Sequence, residues 1–280
     1  MNHPIRLWQI DAFADQPFTG NPAAVCVLEK FPSDGWMQSV AAEMNLSETA
    51  FVVPANQPDH YELRWFTPRV EVDLCGHATL AAAHVIWQAQ FSENNAAVNF
   101  ATRSGNLRCL REGEVISLDF PATPPKEHCT EAPADAFRFD PAALLSALGL
   151  RSATILTTAY DLMVVIEDEQ TLRSLAPDQH QLSAIETRGV MVTARSENAG
   201  IDFVSRFFAP RCGIDEDPVT GSAHCCLAPY WSERLGKTSL VGYQASSRGG
   251  SVLCEVGDGR VKLSGKAVTV LEAQLRIEPR

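Results

Sequence analysis

The chain has no run of roughly 18 or more apolar residues, which excludes a membrane-spanning helix. Its first residues, MNHPIRLWQIDAFADQPF, lack a basic segment leading into an apolar one, so no secretory signal is expected and a cytoplasmic location is. Basic residues are scarce, with 23 Lys and Arg against 34 Asp and Glu in 280 residues, and they form no cluster. A formal charge of −11 with no basic run argues against a nucleic-acid partner, because phosphate contacts need grouped Lys and Arg. There is no G-x-G-x-x-G and no Walker A sequence, and no cofactor is expected.

The cysteines, at 26, 75, 109, 129, 212, 225, 226 and 254, make no C-x-x-C pair. A chain this long needs no disulfide staples, so most of them read as small buried apolar residues in a reducing compartment. His224-Cys225-Cys226 is the one metal-like triplet, but consecutive helical residues diverge by about 100° each and no second cluster completes a tetrahedron. No metal is expected.

What the sequence does contain is an internal echo. RWFTPR at 64–69 returns as RFFAPR at 206–211, 142 positions on. With three extra residues allowed in the second copy, Gly76-His77-Ala78 falls on Gly221-Ser222-Ala223. Each copy runs through an aromatic strand, a proline turn, an acidic stretch, a small-residue elbow and an Ala-rich helix. A shift of half the chain means one duplication and not a solenoid. The expected fold is α+β: two pseudo-symmetric lobes, each a β barrel-like sheet wrapped around a central apolar helix. The lobes are expected to span 1–118 plus 268–280 and 119–267.

Local patterns fill in this plan. RLWQIDAFA (6–14) and NPAAVCVLE (21–29) read as paired strands. Residues 33–45 read as a helix capped by Ser33 or Asp34, with Asn45 near its end. ETAFVVPA (48–55) and YELRWFTP (61–68) are strands, and 77–90 is a helix with almost no polar face, hence buried on all sides. Residues 106–121 form a hairpin closed at Glu112-Gly113, and 123–135 is a proline- and charge-rich linker. A helix at 140–150 starts on Asp140 and Pro141. Strands at 153–158 and 161–167, a helix near 170–176 and strands at 189–194 and 201–207 follow, then a helix over 221–235 and hairpins through 240–275. The last strand, 267–278, is expected to cross back to the first lobe.

The two elbows, DLCGHATLAAAH and DPVTGSAHC, are where chemistry is expected. In each, a glycine is read as allowing a sharp turn straight into a helix, whose bare amides and dipole favour an anion. Elbows facing one another in a cleft between the lobes would make a pocket for a carboxylate substrate.

GNPAAV (20–25), NLSETAFV (45–52), EVDLCGHATLAAAHV (71–85) and GIDEDPVTGSAH (213–224) together resemble the PhzF family of phenazine biosynthesis-like isomerases over essentially the whole chain. That resemblance implies the diaminopimelate epimerase-like fold, a site between two lobes and a homodimer. It places the acid/base glutamate at Glu48, with His77, Asp217 and Ser222 as its catalytic partners. It also assigns Asn21, Gly76, Thr220 and Gly221 to substrate binding. Arg248, in QASSRGG (244–250), is a further candidate for attracting a carboxylate. The epimerase branch sets two cysteines across the substrate. Here Cys75 fills the first position but Thr220 the second, and a hydroxyl is too weak an acid to replace a thiolate. The expected function is a cofactor-independent isomerase that moves a proton between carbons of a small carboxylate by glutamate acid/base catalysis. Two alternatives stay open: an amino-acid epimerase or racemase using Cys75, and a catalytically silent binding protein of the same fold.

Overall fold

A computed structural model of the chain describes residues 5–92, 96–127 and 139–277; Cys129 and the rest of the proline-rich linker from 128 to 135 lie outside the described residues. The chain divides into two compact units, Met1–Asp119 with Lys262–Arg280, and Phe120–Val261.

The first unit runs β1 (Ile5–Ala12), β2 (Asn21–Val27), α1 (Asp34–Met44), β3 (Glu48–Pro54), β4 (His60–Phe66), β5 (Glu71–Val72), α2 (Gly76–Gln88), β6 (Ala97–Thr102), β7 (Gly105–Glu112) and β8 (Val115–Pro121). Helix α1 begins where Ser33 accepts a hydrogen bond from the Trp36 amide and ends at Asn45, which takes the left-handed conformation with φ 50°. Strands β1 and β2 pair antiparallel, β2 and β3 parallel, β3 and β4 antiparallel, β4 and β6 parallel, and β6 and β7 antiparallel. Strands β2 and β3 are apolar on both faces. Ala24, Cys26, Phe51 and Val53 meet Met37, Val40 and Ala41 of α1, while the alternate residues Ala23 and Val25 are also fully buried. Helix α2 packs against β1, β2 and β3, and every residue from His77 to Ala83 is buried. That enclosure is why its sequence shows no polar face.

The second unit begins at β9 (Lys126–Glu127), α3 (Pro141–Leu148), β10 (Thr154–Thr157), β11 (Leu162–Val165), α4 (Glu169–Ser174) and α5 (Gln179–Ser183). It continues with β12 (Val190–Arg195), β13 (Phe203–Ala209), β14 (Ile214–Asp217), α6 (Gly221–Leu235), β15 (Ser239–Gln244) and β16 (Gly250–Gly257). The chain then passes through β17 (Arg260–Gly265) to β18 (Ala267–Leu275), which pairs antiparallel with β1. Helix α3 has the expected cap: Asp140 accepts from the Ala142 amide at 2.9 Å, and Pro141 opens the first turn.

The duplication is written into the pairing. Strands β10–β11 are antiparallel, β11–β12 parallel, β12–β13 antiparallel, β13–β15 parallel and β15–β16 antiparallel, the same alternation as in the first unit. The repeated hexapeptides begin at the ends of β4 and β13 and run into the turns that follow, and the first arginine of each grips a glutamate with two hydrogen bonds. Arg64 holds Glu71, seven positions on, at 2.7 and 2.7 Å; Arg206 holds Glu216, ten positions on, at 2.7 and 2.9 Å. The three extra residues therefore lie between arginine and glutamate, around the Pro210–Cys212 turn.

Candidate active site

Glu48 is the first residue of β3, set beside Ala23 by the parallel register. Its carboxyl group is 13% exposed, and Oε2 lies 3.0 Å from His77 Nε2. That oxygen is buried without an aligned hydrogen-bond donor among the described residues. The contact with His77 is thus one of charge, off the N–H direction.

His77 is the second residue of α2, and its other ring nitrogen, Nδ1, lies 3.2 Å from the amide nitrogen of Asn21. Asn21 is fully buried at the head of β2, immediately after Gly20. Gly20 is obligatory there: at φ +66°, a Cβ would stand 2.2 Å from the Ala12 carbonyl oxygen. Asp11, buried one strand away, accepts from the Phe18 amide at 2.7 Å and ties down the same loop.

Cys75 precedes α2 in an extended conformation and makes no side-chain cap. Its Sγ is 3.6 Å from His77 Nδ1 and 4.0 Å from Nε2. Burial, reinforced by the charge of Glu48, pushes its thiol up to about 11, so at neutral pH it is protonated. Burial works against the His77 imidazolium, while Cys75 and Glu48 beside the ring work for it. The balance holds His77 well above its usual 6.5, with the Glu48 carboxylate the charge that sustains it at neutral pH. A doubly protonated ring is matched by the Asn21 amide turned over, its oxygen accepting from Nδ1.

The second unit places the other expected residues in two networks. Thr220 Oγ1 donates to Asp217 Oδ2 at 2.6 Å, and the Thr220 amide donates to Gln244 Oε1 at 2.8 Å. Gln244 Nε2 donates to the Asp217 carbonyl at 2.6 Å. Ser222, on the first turn of α6, accepts from Arg188 Nη2 at 3.1 Å. Arg188 is itself held by Asp161 through both carboxylate oxygens and stands 5.3 Å over the Tyr160 ring. Asp161 is 1% exposed and Arg188 41%. Burial raises the Asp161 carboxyl and the Arg188 guanidinium opposes that rise, so the ion pair carries the cost of desolvation. His224 donates from Nδ1 to the Thr220 carbonyl at 2.9 Å, and burial lowers it to about 4, leaving it neutral.

Two expectations are corrected. Neither Gly76 nor Gly221 takes a positive φ. The turn into each helix is made instead by an extended residue before it, Cys75 at φ −147° and Thr220 at φ −108°, so the glycines are ordinary first helical residues. Arg188, Asp161 and Gln244 carry much of the polar structure around the second elbow, and no motif in the sequence pointed to them. Arg248 lies half-buried in the loop after β15, where Ser246 Oγ donates to the Pro218 carbonyl. Glu48, His77 and Asn21 do come together; Asp217, Thr220 and Ser222 lie at the second elbow.

The description "phenazine biosynthesis-like protein" fits residues 10–273 as a family. The chain is 49% identical over 273 residues to an uncharacterized isomerase of Pseudomonas aeruginosa, covering 98% of this chain and 99% of that one. It is 47% identical over 269 residues to an uncharacterized isomerase of Halalkalibacterium halodurans, covering 96% and 97%. A crystal structure of a PhzF family protein from Enterococcus faecalis superposes with a TM-score of 0.89 at 41% identity, covering 98% and 100% of the two chains. A probable proline racemase from Agrobacterium radiobacter shares the fold alone, at 11% identity and a TM-score of 0.67. The chain belongs to the phenazine biosynthesis-like (PhzF) family and is an isomerase.

Proposed function

We propose that Glu48 is the acid/base of a cofactor-independent isomerisation, taking a proton from one carbon of a small carboxylate substrate and returning it to another. The observation that carries this reading is the contact of Glu48 Oε2 with His77 Nε2 at 3.0 Å, backed by buried Asn21 on the far side of the ring. In the first half-reaction a carbon–hydrogen bond breaks, its proton goes to Glu48, and its electron pair delocalises into the unsaturated carboxylate. In the second, the new carbon–hydrogen bond forms with a proton from Glu48, or from His77 with Glu48 then passing its proton to the ring across the 3.0 Å contact, and the electron pair returns to carbon. Atoms and charge balance without any redox partner.

The pairing suits this work. An enclosed carboxylate next to an imidazolium can accept a proton while the neighbouring charge stays put, and the ring offers a second proton close by. Asn21 sets the ring's orientation from Nδ1. The family resemblance assigns Asp217 and Ser222 to the same reaction, and Gly76, Thr220 and Gly221 to substrate binding. Asp217 is bound by the Thr220 hydroxyl and Ser222 by Arg188, so each side chain is held in a fixed position. A homodimer and a cytoplasmic location complete the proposal; light scattering after size exclusion reads the first.

The test uses deuterium. Wild type and Glu48→Gln are incubated with a broad metabolite extract in heavy water, followed by mass spectrometry. The proposal expects a compound that gains one deuterium, or changes retention at constant mass, with wild type only. Equal behaviour of the two proteins would remove Glu48 from the chemistry.

A further inference from the structure

We propose that Glu48, Cys75 and His77 also form a zinc site, through which a thiophilic divalent cation reversibly switches the isomerase off. Part of this, the inhibition, rests on the acid/base role given to Glu48 above; the binding does not.

The ligand atoms are already assembled. One oxygen of Glu48, the sulfur of Cys75 and one ring nitrogen of His77 lie within 4.8 Å of one another. A tetrahedral zinc ion with ordinary bond lengths sets its ligand atoms roughly 3.3–3.6 Å apart. Here Nε2 is 3.0 Å from Glu48 Oε2 and 4.0 Å from Cys75 Sγ. The carboxylate and ring need to part by only roughly 0.3 Å, whereas the sulfur, which lies nearer Nδ1 at 3.6 Å, must swing further, by rotation of the Cys75 side chain, to reach the Nε2 side.

The surroundings favour zinc further. Glu48 Oε2 is buried with no aligned donor among the described residues, so a cation there displaces no hydrogen bond. A histidine ligand needs its second nitrogen held, and Asn21, whose amide nitrogen is 3.2 Å from Nδ1, holds it by accepting that proton through its oxygen once the amide is turned over. The donor set, one thiolate, one imidazole and one carboxylate, selects zinc over magnesium or calcium, which take oxygen ligands. Three protein ligands leave a fourth position for water or a carboxylate.

Charge also closes. Zinc with a thiolate, a neutral imidazole and a carboxylate is neutral overall, and binding expels to the buffer whatever protons the ligand atoms carry. The start of α2 opposes the cation and favours the thiolate, so its dipole largely cancels. With zinc bound, Glu48 Oε2 and His77 Nε2 are committed to the metal, and the pair that would exchange a proton with substrate is occupied.

The test begins with chelator-treated full-length protein and Co(II), which reports thiolate ligation by a charge-transfer band in the near ultraviolet. The band is expected at one cobalt per chain and is expected to vanish when Zn(II) is added. Equilibrium dialysis with Zn(II) alone should give one tight site, weakened by about 100-fold or more in Cys75→Ser and in His77→Gln. Cys212→Ser, at an exposed cysteine, should bind as wild type does. Cobalt that binds wild type without a thiolate band, or zinc affinity unchanged in Cys75→Ser, would overturn the proposal; the first reading needs no variant to fold. Deuterium incorporation by metal-free protein is a separate readout: its presence beside absent zinc binding would reject the zinc site and leave the Glu48 reading standing.

Discussion

His77 Nε2 stands 3.0 Å from Glu48 Oε2, at the meeting of the first turn of α2 with the first residue of β3. The contact depends on long-range order, since the parallel register of β2 with β3 fixes Glu48 and a left-handed Gly20 fixes Asn21 behind the ring. Removing the carboxylate should therefore cost chemistry and leave the fold intact. Glu48→Gln is expected to lower turnover by about 100- to 10,000-fold, the usual range for a general acid/base, with an unchanged circular dichroism spectrum. His77→Asn is expected to lose about 100-fold.

The same pair predicts a pH dependence of stability. His77 is held above its unfolded value, so its contribution is fully present below about pH 6.5 and is lost as pH rises through its folded pKa. His224 acts in the opposite sense: its folded pKa of about 4 lies below the unfolded value, so stability is full above pH 6.5 and falls towards pH 4. The acid loss from His224 should be about 3 kcal/mol. Urea titrations from pH 4 to pH 9 read both limbs. His224→Asn should flatten the acid limb, and His77→Asn the alkaline one.

Gly20 makes a sharper prediction. Any side chain there must both hold φ +66° and move the Ala12 carbonyl, 2.2 Å from the new Cβ. Gly20→Ala is expected to cost about 3 kcal/mol or more and to disturb Asn21 with it. Thermal unfolding reads the stability; a Gly20→Ala protein as stable as wild type would show that the loop yields freely.

Arg206 should tolerate no lysine. It binds Glu216 through two nitrogens and also donates from Nη1 to the Leu175 carbonyl at 2.6 Å, at the end of α4. A lysine cannot make both contacts, and with Arg206 only 11% exposed the loss should be about 2 kcal/mol in urea unfolding.

The repeat was legible because the arginine, the proline and the helix start recur at matched positions. The sequence could not show that its three-residue offset separates Arg206 from Glu216 by ten positions where Arg64 and Glu71 are seven apart. Helices α1 and α3 were legible from Ser33 and Asp140, whose side chains accept the first free amides. The short helix α5 and the strands β5 and β14 were too brief to carry a period. Parallel pairing of β2 with β3 escaped a local reading because α1 intervenes between them. Arg188 sits in Thr-Arg-Gly with nothing to mark it; only folding brings Asp161 and Ser222 to its guanidinium. Gln244 opens the QASSRGG stretch, in which only Arg248 stands out as a candidate, yet β15 extends through Gln244 and buries it completely.

The most direct measurement compares Glu48→Gln with Cys75→Ala in heavy water, on whichever compound wild type labels. If Glu48 moves the proton, Cys75→Ala keeps deuterium incorporation within about tenfold of wild type while Glu48→Gln loses it by about 100-fold or more. Incorporation that survives in Glu48→Gln and disappears in Cys75→Ala would contradict the account and assign the proton transfer to the thiol.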